Sequence, residues 1–449
     1  MHAAQLKAIE ESAQQQTDHY AEHLAEVDTT NPVVATEDIL STRKIPIVKK
    51  GTRINRDIAH NILQHKLIKP LEHQVQLEHC LNGEAILTHV LTLLDKYPEL
   101  KLIHNNSGYT PIVEQLIESS VLSPLLAQKL TVFQQRLPAE FEKTLFCTWL
   151  AVNIALTAKL DNQHITITYL ASLGHDLGML HISPHIFSKK EKLAAAEWRA
   201  VQSHVVTSYL FLKNLGGIYS DAANAVLEHH ECCDGTGYPF GKTMEQLGIC
   251  GQIIAMADSL QAIRVNQLEA AGRNMLHTIP FLQMNNTTHT ETVYRATSML
   301  IRKVKIEYEP THRFSSLTDL VTYLSSRGED LDKASVILFL LLYLSLPLNL
   351  GKAGKAMLRV LGPVTKRIRS SGLIEEHIFN WLSDLETDCD TQCINELCEM
   401  ELMQNELYFQ LKKARNAYIS FLEQEPSAGH TQEMAHLHKL VTTLDEFLL

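Results

Sequence analysis

The chain has 449 residues, of which 45% are hydrophobic and 20% are charged, and its formal net charge is −11. This composition is ordinary for a packed protein of two or three domains, and the acidic balance argues against a general nucleic-acid scaffold, so we expect no DNA partner. A small anionic ligand is not excluded, because bound metal ions supply local positive charge.

The eight cysteines are spread along the chain and suggest no disulfide framework. The first residues form a polar stretch without an apolar signal region, so we expect a cytoplasmic protein with reduced thiols. Cys389 and Cys393 lie one helical turn apart. A zinc site would need further partners, so we interpret this pair as buried apolar filler.

The N-terminal part of the chain predicts a polar helical arm over 1–30 and a small α+β module over 31–75. Nothing in the module has the pattern of a catalytic site. Its predicted elements are β-prone runs at 33–35 and 45–48, a turn at 49–52, and an amphipathic helix over 56–67 that ends before Pro70.

Helical periodicity dominates from about residue 76 onward. We predict a helical connector over 76–130, with helices around 84–95 and 111–136. A second helical domain should follow over 131–325. The fold class expected for the whole chain is therefore mainly α, a helical bundle with a small α+β module before it.

Six side chains of the 131–325 domain have the chemistry of metal ligands, and we call them the ligand cluster: His175, Asp176, His204, His229, His230 and Asp258. The gaps of 29, 25 and 28 residues (175 to 204, 204 to 229, 230 to 258) are each about one helix plus its turn. Four helices should therefore each present a ligand from an apolar face. An unpaired carboxylate on such a face costs several kcal/mol, so a cation or strong hydrogen bonds must compensate.

A lone buried histidine is more often part of a hydrogen-bonded core than a metal ligand, but six candidates at these gaps favour metal. Imidazoles and carboxylates of this kind can hold two divalent metals around a bridging hydroxide. Val201 and His204 are predicted to share one helix, and Ser220 to cap the next. Cys232 and Cys233 are less favoured alternative ligands.

A loop rich in Gly and Pro follows the paired histidines. Alone it would be an ordinary turn, because Gly tolerates positive φ. Directly after His229 and His230 we interpret it as a loop that shapes the mouth of a pocket, where it could contact substrate or a partner protein. Its candidate residues are Asp234, Gly235, Gly237, Tyr238 and Pro239.

The segment 325–328 is typical of a domain boundary, which leaves a C-terminal helical domain over 326–449. Residues 334–350 carry no charge and could nearly span a bilayer. Pro347 and Asn349 interrupt the far end, so a buried core or interface helix is favoured over a membrane segment.

Two apolar stripes near the C-terminus predict a helical hairpin, which is also a candidate homodimer contact. A break over 426–429 should separate its two helices. The stripes consist of Leu397, Met400, Leu407, Leu411, Ala414, Tyr418 and Phe421, and of Leu437, Leu440, Leu444 and Leu448.

The ligand cluster, together with the loop after it, resembles the HD-GYP family, a branch of the HD metal-dependent phosphohydrolases. The resemblance covers about residues 130–300 and is carried by residues 175–178, 182–184, 229–231 and 234–239 together with His204 and Asp258. It implies an all-helical catalytic domain that hydrolyses the bacterial second messenger cyclic di-GMP to pGpG or GMP. A weaker similarity extends to the short module before it.

Carried onto this chain, the resemblance implies two divalent metals, with iron or manganese suited to such ligands. Asp176 would bridge the metals, His175 and Asp258 would complete one side, and the remaining three histidines the other. Asp176 and His175 would thereby carry the catalysis. A diguanylate cyclase domain is the kind of partner that the loop would bind.

Three departures from the family pattern bear on activity. The family usually has Lys where this chain has Met179. It also has an Arg-Pro-Tyr-Arg-like element where this chain reads Arg264-Val265-Asn266-Gln267-Leu268-Glu269, so Arg264 and Arg273 are out-of-register substitutes. A His about thirty residues before the His-Asp pair is absent, although Glu142 could coordinate. These losses keep two alternatives open: a weak or inactive signalling module, and an HD hydrolase of another phosphate ester.

Overall fold

The computed structural model describes residues 19–187, 189, 191, 193–269, 272–304, 314–345, 351–385, 389–424 and 432–447. Helices dominate, which confirms the mainly α prediction. The chain divides into two compact units. The first comprises the described residues of 1–232, 237–262 and 290–304, and the second those of 233–236, 263–289 and 305–449.

The first unit begins with the predicted α+β module. Strands Val33–Ala35 (β1) and Val75–Leu77 (β4) pair antiparallel, as do Ile39–Leu40 (β2) and Pro46–Val48 (β3). The sequence did not reveal β2 or β4, because two or three residues are too few to show a period. Helix α2 is Arg56–Leu63, so its predicted end at 67 is wrong.

The early end of α2 has a structural reason. Its last turn is capped at Gln64, and the chain then forms an isolated bridge between Leu67 and Ser41 and a hydrogen bond from Ile68 N to Leu40 O. The residues after α2 therefore pair with a strand.

The other helices of this unit are Tyr20–Val27 (α1), Gly83–Lys96 (α3), Pro98–Asn106 (α4), Thr110–Glu118 (α5), Pro124–Arg136 (α6), Pro138–Thr157 (α7), Asn162–Gly174 (α8), Pro184–Phe187 (α9), Ala195–Gln202 (α10), His204–Leu215 (α11), Ile218–Glu228 (α12), Ile249–Ile263 (α13) and Glu291–Arg302 (α15).

Three further local predictions in this unit are wrong. The helix expected over 111–136 is two helices, α5 and α6, separated before Pro124, which starts the second. Val201 and His204 lie in different helices because the chain breaks at Ser203. Ser220 lies inside α12, whose N-cap is Gly217 with φ +55°, a conformation that Gly adopts without strain.

The second unit is built on long helices: Ile279–Met284 (α14), Leu317–Ser345 (α16), Lys352–Ser370 (α17), Glu376–Asp384 (α18), Thr391–Gln424 (α19) and Gln432–Glu446 (α20). The stripe of α19 is buried from Leu397 to Phe421, as predicted. Arg415 of α19 forms an ion pair of 2.7 Å with Asp445 of α20, and both helices contribute to one apolar core, which supports the predicted hairpin. Residues 426–429 and Leu448 lie outside the described residues.

The segment 325–328, which the sequence predicts to be a domain boundary, lies inside α16. In this helix Gly328 leaves room for the Phe379 ring, because a Cβ atom at this position would lie 2.8 Å from Phe379 Cε1. The described part of 334–350 belongs to the same helix, and among the described residues no helix has the length and apolar character of a membrane span. Cys389 and Cys393 are half-buried near the start of α19, so the fully buried filler interpretation is also wrong.

Candidate metal centre

The ligand cluster lies within the first unit, and most of its members occupy helix ends. His175 caps the C-terminus of α8 and Asp176 follows it, while His204 opens α11 and His229 caps the C-terminus of α12. The fourth helix, α13, carries Asp258 in its interior. The sequence predicted that four successive helices carry the cluster, but it predicted helix faces where the structure has mainly helix ends.

Three of the four imidazoles are oriented by main-chain carbonyls. The Nδ1 atoms of His175, His204 and His229 lie 2.7, 2.6 and 2.6 Å from carbonyl oxygens three residues earlier, those of Ser172, Val201 and Val226. A carbonyl oxygen can only accept, so each Nδ1 carries the hydrogen and each Nε2 presents a lone pair when the ring is neutral. This is the arrangement that prepares a histidine for metal coordination.

Asp176 lies between the two halves of the cluster. Its Oδ1 atom is 3.2 Å from His204 Nε2 and 3.9 Å from His229 Nε2, whereas its Oδ2 atom is 3.3 Å from His175 Nε2. The two oxygens of one carboxylate therefore face two different sets of imidazoles. That geometry suits a carboxylate shared by two cations.

The possible ligand atoms fall into two groups, each with its atoms within 4.8 Å of one another. One group is His204, His229 and His230; the other is His175, Asp258 and Cys147. His230 Nδ1 lies 3.7 Å from Asp258 Oδ2, which connects the groups. The side chains of these two residues are 24% and 27% exposed, so this is the side on which the cluster meets solvent.

The residues present fit a cation. The Nε2 atoms of His204 and His229 lie 3.4 Å apart, and with both Nδ1 hydrogens donated to carbonyls only a proton or a metal between them satisfies both lone pairs. His175 Nε2 is buried and forms no hydrogen bond with any described residue. Imidazole and carboxylate ligands suit divalent transition metals.

The electrostatics favour the protonation states that bind metal. Burial opposes ionisation of Asp176, but His175, His204 and His229 together hold its pKa well below the usual range. Burial lowers the pKa of His229 far below its ordinary value and that of His230 to about 3. Neutral imidazoles beside an ionised carboxylate are the forms that coordinate a cation.

Two cluster members have raised pKa values. Burial opposes protonation of His204, but its hydrogen bond to Asp176 raises its pKa. Burial raises the pKa of Asp258 to about 6, and the negative charge of Asp176 adds to the effect. The ionised form of Asp258 is therefore disfavoured unless a cation lies beside it.

The loop after the histidines folds back on the cluster. Tyr238 stacks on the His230 ring at 4.7 Å between centroids, and Tyr238 N donates to His230 O at 3.0 Å. Position 237 requires glycine because any side chain would clash with the backbone: a Cβ atom would lie 2.4 Å from both His230 O and Glu231 Cα. The Tyr238–Pro239 peptide bond is cis. The loop therefore shapes the surroundings of His230, as its position in the sequence indicates.

Glu231, buried directly after the paired histidines, organises the second half of the loop. Its two carboxylate oxygens accept hydrogen bonds from Phe240 N at 2.6 Å and Lys242 N at 2.8 Å. Burial raises the pKa of Glu231, while these two donors oppose the shift. The glutamate is therefore a support for the loop.

The loop tip belongs to the second unit, and its aspartate has internal partners. Asp234 accepts from Thr236 N and Oγ1, and it forms an ion pair with Arg367 of α17. Arg367 also donates to Gln410 Oε1 at 2.9 Å and to Thr287 Oγ1 at 3.2 Å. Asp234 is thus engaged in structure, which disfavours its predicted role as a substrate contact. Gly235 has φ +75° at this tip.

The proposed substitutes for the missing cationic residues also have partners. Arg264 forms a 2.9 Å ion pair with Glu269, and Arg273 a 2.6 Å ion pair with Glu401. Glu142, the acid considered as a ligand, pairs with Lys96 at 2.8 Å and belongs to neither ligand group. Met179 is half-buried in the turn after Asp176.

Sequence reasoning missed two residues of α7. Cys147 belongs to a ligand group, and the positive charge of Lys143, one helical turn earlier, contributes to lowering the pKa of Asp258. The available signal was position, because Cys147 lies 28 residues before His175 (175 − 147), close to where the family pattern described above has a His. The search for an imidazole there overlooked the thiol.

Comparison with known proteins agrees with this geometry. A family model described as an HD domain matches residues 120–291. The chain is 40% identical over 93 residues to a 3′3′-cGAMP-specific phosphodiesterase of Vibrio cholerae, covering 21% of this chain and 20% of the relative. It is 29% identical over 147 residues to a cyclic di-GMP phosphodiesterase of Pseudomonas aeruginosa, covering 33% and 36%.

A cyclic di-GMP phosphodiesterase of Thermotoga maritima is 31% identical over 116 residues, 26% of this chain and 32% of the relative. The chain thus spans between 20% and 36% of the length of these three relatives. A helical domain with this arrangement of His and Asp defines the HD class, whose phosphohydrolases are metal-dependent. Residues 120–291 of the chain are therefore similar to the HD domain, and the relatives that match it are named as cyclic dinucleotide phosphodiesterases.

Proposed function

We propose that the chain is a metal-dependent phosphodiesterase that hydrolyses cyclic di-GMP to pGpG or GMP. The observation that carries the proposal is the position of Asp176, whose two oxygens face separate groups of imidazoles. The names of the relatives supply the substrate class, because they act on cyclic dinucleotides. The alternative of a membrane or DNA ligand has no comparable support.

Each member of the cluster has a role in this proposal. Asp176 would be shared between two metals, His175 and Asp258 would complete one position, and His204, His229 and His230 would complete the other. When bound, the cations supply a water that is deprotonated at neutral pH and positive charge for the phosphate. The three main-chain carbonyls keep three of the rings in the coordinating tautomer.

The loop would hold the dinucleotide at the exposed side of the cluster. Burial raises the pKa of Tyr238, so its phenol stays protonated and can donate a hydrogen bond to a phosphate oxygen. Gly237 and Pro239 set the path of the chain beside it. Arg264, already paired with Glu269, is the weakest of the proposed contacts.

Iron or manganese is the proposed metal, because both accept mixed imidazole and carboxylate ligands. The 131–325 segment is the proposed catalytic domain. A diguanylate cyclase domain is the proposed partner at the loop, and a second copy of the chain is the proposed partner of the C-terminal helices. We place the protein in the cytoplasm.

Hydrolysis of 3′3′-cGAMP is a second candidate, because one relative is named for that substrate. A signalling module that binds without turnover is a third, since Met179 replaces a cationic residue of the family pattern. Loss of one positioned charge commonly costs about 10²–10³ in rate. The same departures would suit an HD hydrolase of another phosphate ester.

The test uses the full chain loaded with Fe²⁺ or Mn²⁺, assayed on both cyclic dinucleotides. We expect linear product from cyclic di-GMP and at least about a 100-fold loss of turnover in Asp176→Asn, together with loss of bound metal. Glu142→Gln, an acid on α7 outside both groups, is the matched control and should keep turnover and metal.

Other outcomes select among the alternatives. Turnover of 3′3′-cGAMP alone would replace the substrate, and stoichiometric binding of cyclic di-GMP without product would support the signalling module. A metal-loaded protein that neither binds nor cleaves either dinucleotide would point to another phosphate ester. Equal turnover by wild type and Asp176→Asn would refute the proposed centre.

A further inference from the structure

The two halves of the ligand cluster are unequally supplied with ligands. Three imidazoles converge on the side of Asp176 Oδ1, whereas His175 and Asp258 are the only cluster members assigned to the side of Oδ2. With the shared Asp176 counted, the first position would have four protein ligands and the second would have three. A further ligand on the Oδ2 side would make the two positions comparable.

Cys147 lies where that ligand is needed. Its sulfur atom is within 4.8 Å of a ligand atom of His175 and of one of Asp258. It projects from α7, whereas His175 caps α8 and Asp258 lies in α13, so three separate helices deliver the three groups. Cys147 and His175 are both fully buried, with 0% exposure.

His175 provides an independent sign of a ligand in this space. Its Nδ1 atom donates to Ser172 O, so Nε2 is the nitrogen with the lone pair, and Nε2 forms no hydrogen bond with any described residue. A buried polar atom without a hydrogen bond costs about 1–3 kcal/mol unless something else compensates. A cation that reaches both Nε2 and the sulfur would compensate.

We propose that the thiolate of Cys147 is a fourth protein ligand, beside His175, Asp258 and the shared Asp176, of the metal on the Oδ2 side. On binding, the thiol proton passes to solvent and a sulfur lone pair forms the bond to the cation, with no change of oxidation state. The inference rests on the proposed two-metal function. It adds a soft ligand that favours iron or zinc over manganese at this one position.

A buried cysteine is often only a small apolar side chain. Cys250 illustrates that case in the same unit: its sulfur lies near His164 O at 3.6 Å, and it belongs to neither ligand group. Cys147 differs because two groups suited to metal coordination share its surroundings. This contrast gives the experiment a matched control.

The experiment removes metal from the full chain and reloads it with two equivalents of Co²⁺. We expect a sulfur-to-cobalt charge-transfer band in the near ultraviolet for wild type, and its loss in Cys147→Ser. Cys250→Ser should keep the band. The affinity for the more weakly held cobalt should fall by at least about tenfold in Cys147→Ser, because even loss of an outer hydrogen-bond partner has that effect.

A second measurement needs no variant. X-ray absorption of the zinc-loaded wild type should contain a metal–sulfur distance of roughly 2.3 Å. Absence of that distance, absence of the cobalt band with two metals bound, or a band that survives in Cys147→Ser would each overturn the proposal.

Turnover is scored separately from the sulfur signals. Hydrolysis of cyclic di-GMP without a sulfur signal would keep the proposed function and refute the thiolate ligand. A sulfur signal that depends on Cys147, without hydrolysis, would keep the ligand and refute the function. The two proposals can therefore fail independently.

Discussion

Gly178, two residues after Asp176, shows how closely the backbone is packed around the ligand cluster. A Cβ atom at this position would lie 2.2 Å from His204 O and 2.8 Å from His204 Cα. Gly178 N also donates to Ser208 Oγ at 2.7 Å. The turn after the His-Asp pair therefore contacts the helix that begins with His204, and any side chain at Gly178 would displace that histidine.

We predict that Gly178→Ala destabilises the chain by about 1–3 kcal/mol and weakens metal binding by at least about tenfold. Gly216→Ala is the control. Its φ of +72° and ψ of −175° make a side chain costly by about 1–3 kcal/mol, yet nothing lies within 4 Å of a Cβ atom there.

Denaturant unfolding and metal titration measure the two effects. The control should lose stability but keep its metal affinity. Unchanged metal binding in Gly178→Ala would mean that the displacement of His204 is absorbed elsewhere.

At the scale of single residues, the sequence indicated which side chains lie close together in the ligand cluster. Spacing alone placed His175, His204 and Asp258 in one region, because each gap matched a helix plus its turn. Spacing does not specify where a helix ends, so the break at Ser203 and the carbonyl contacts of the rings could not be foreseen. Cys147 was overlooked because the family pattern has an imidazole near this position, and a single cysteine in an apolar helix is more often a small core residue.

At the scale of elements, a buried ion pair joins the N-terminal module to the helices that follow it. Lys129 of α6 contacts Glu72 at 2.9 Å, and their side chains are only 1% and 8% exposed. Lys129 Nζ also lies 4.1 Å from the centre of the Phe211 ring. Each charge is therefore compensated within the protein, and removal of one partner leaves the other buried.

We predict that Lys129→Met lowers the free energy of unfolding by about 3–5 kcal/mol, because Glu72 loses its counter-charge. The double variant with Glu72→Gln should recover most of the loss, since both buried charges are then gone. Arg295→Met, which breaks an exposed ion pair with Glu291, is the control and should change little. A double variant no more stable than Lys129→Met would contradict the pairing.

Prediction of helices and strands from sequence failed mainly where tertiary contacts determine the end of an element or the conformation of a segment. Leu67 fits a helical stripe but bridges to Ser41, so the end of α2 depends on a strand distant in sequence. Gly328 is typical of a turn, yet in α16 its lack of a side chain admits Phe379. Strong periodicity over long segments, as in α19, was by contrast sufficient.

At the scale of the whole molecule, buried histidines outside the ligand cluster make stability depend on pH. Burial lowers the pKa values of His277 and His289, both in the second unit, to about 4. Protonation is therefore easier after unfolding, where the ordinary value is 6.5. The stabilising effect is complete above pH 6.5 and is lost as pH falls toward 4.

We predict that His289→Gln makes the loss of stability between pH 6.5 and 4 shallower by up to about 1.4 kcal/mol per pH unit, the contribution of one proton. Urea unfolding at a series of pH values measures the slope. His79→Gln, at an exposed histidine, should leave the slope unchanged. An equal slope in wild type and His289→Gln would contradict the prediction, because it would mean that His289 takes up its proton as readily in the folded protein as in the unfolded chain.

The sequence predicted the helical class of the molecule correctly but divided the chain differently from its contacts. Residues 263–289, assigned by sequence to the catalytic domain, pack with the C-terminal helices in the second unit. Asn285, for example, donates to Glu406 Oε1 at 2.8 Å. Such a contact joins residues 121 positions apart, and local periodicity carries no information about it.

The oxygens that align three of the coordinating rings belong to peptide groups, which every amino acid has. Replacing Ser172, Val201 or Val226 with another residue compatible with a helix leaves that oxygen in place. A substitution at these three positions that fits the packing and keeps the helix end therefore does not by itself turn an imidazole away from the cluster. The alignment depends on the shape of the helix end, so a change that lengthens or unwinds that end would turn the ring even if the histidine itself were kept.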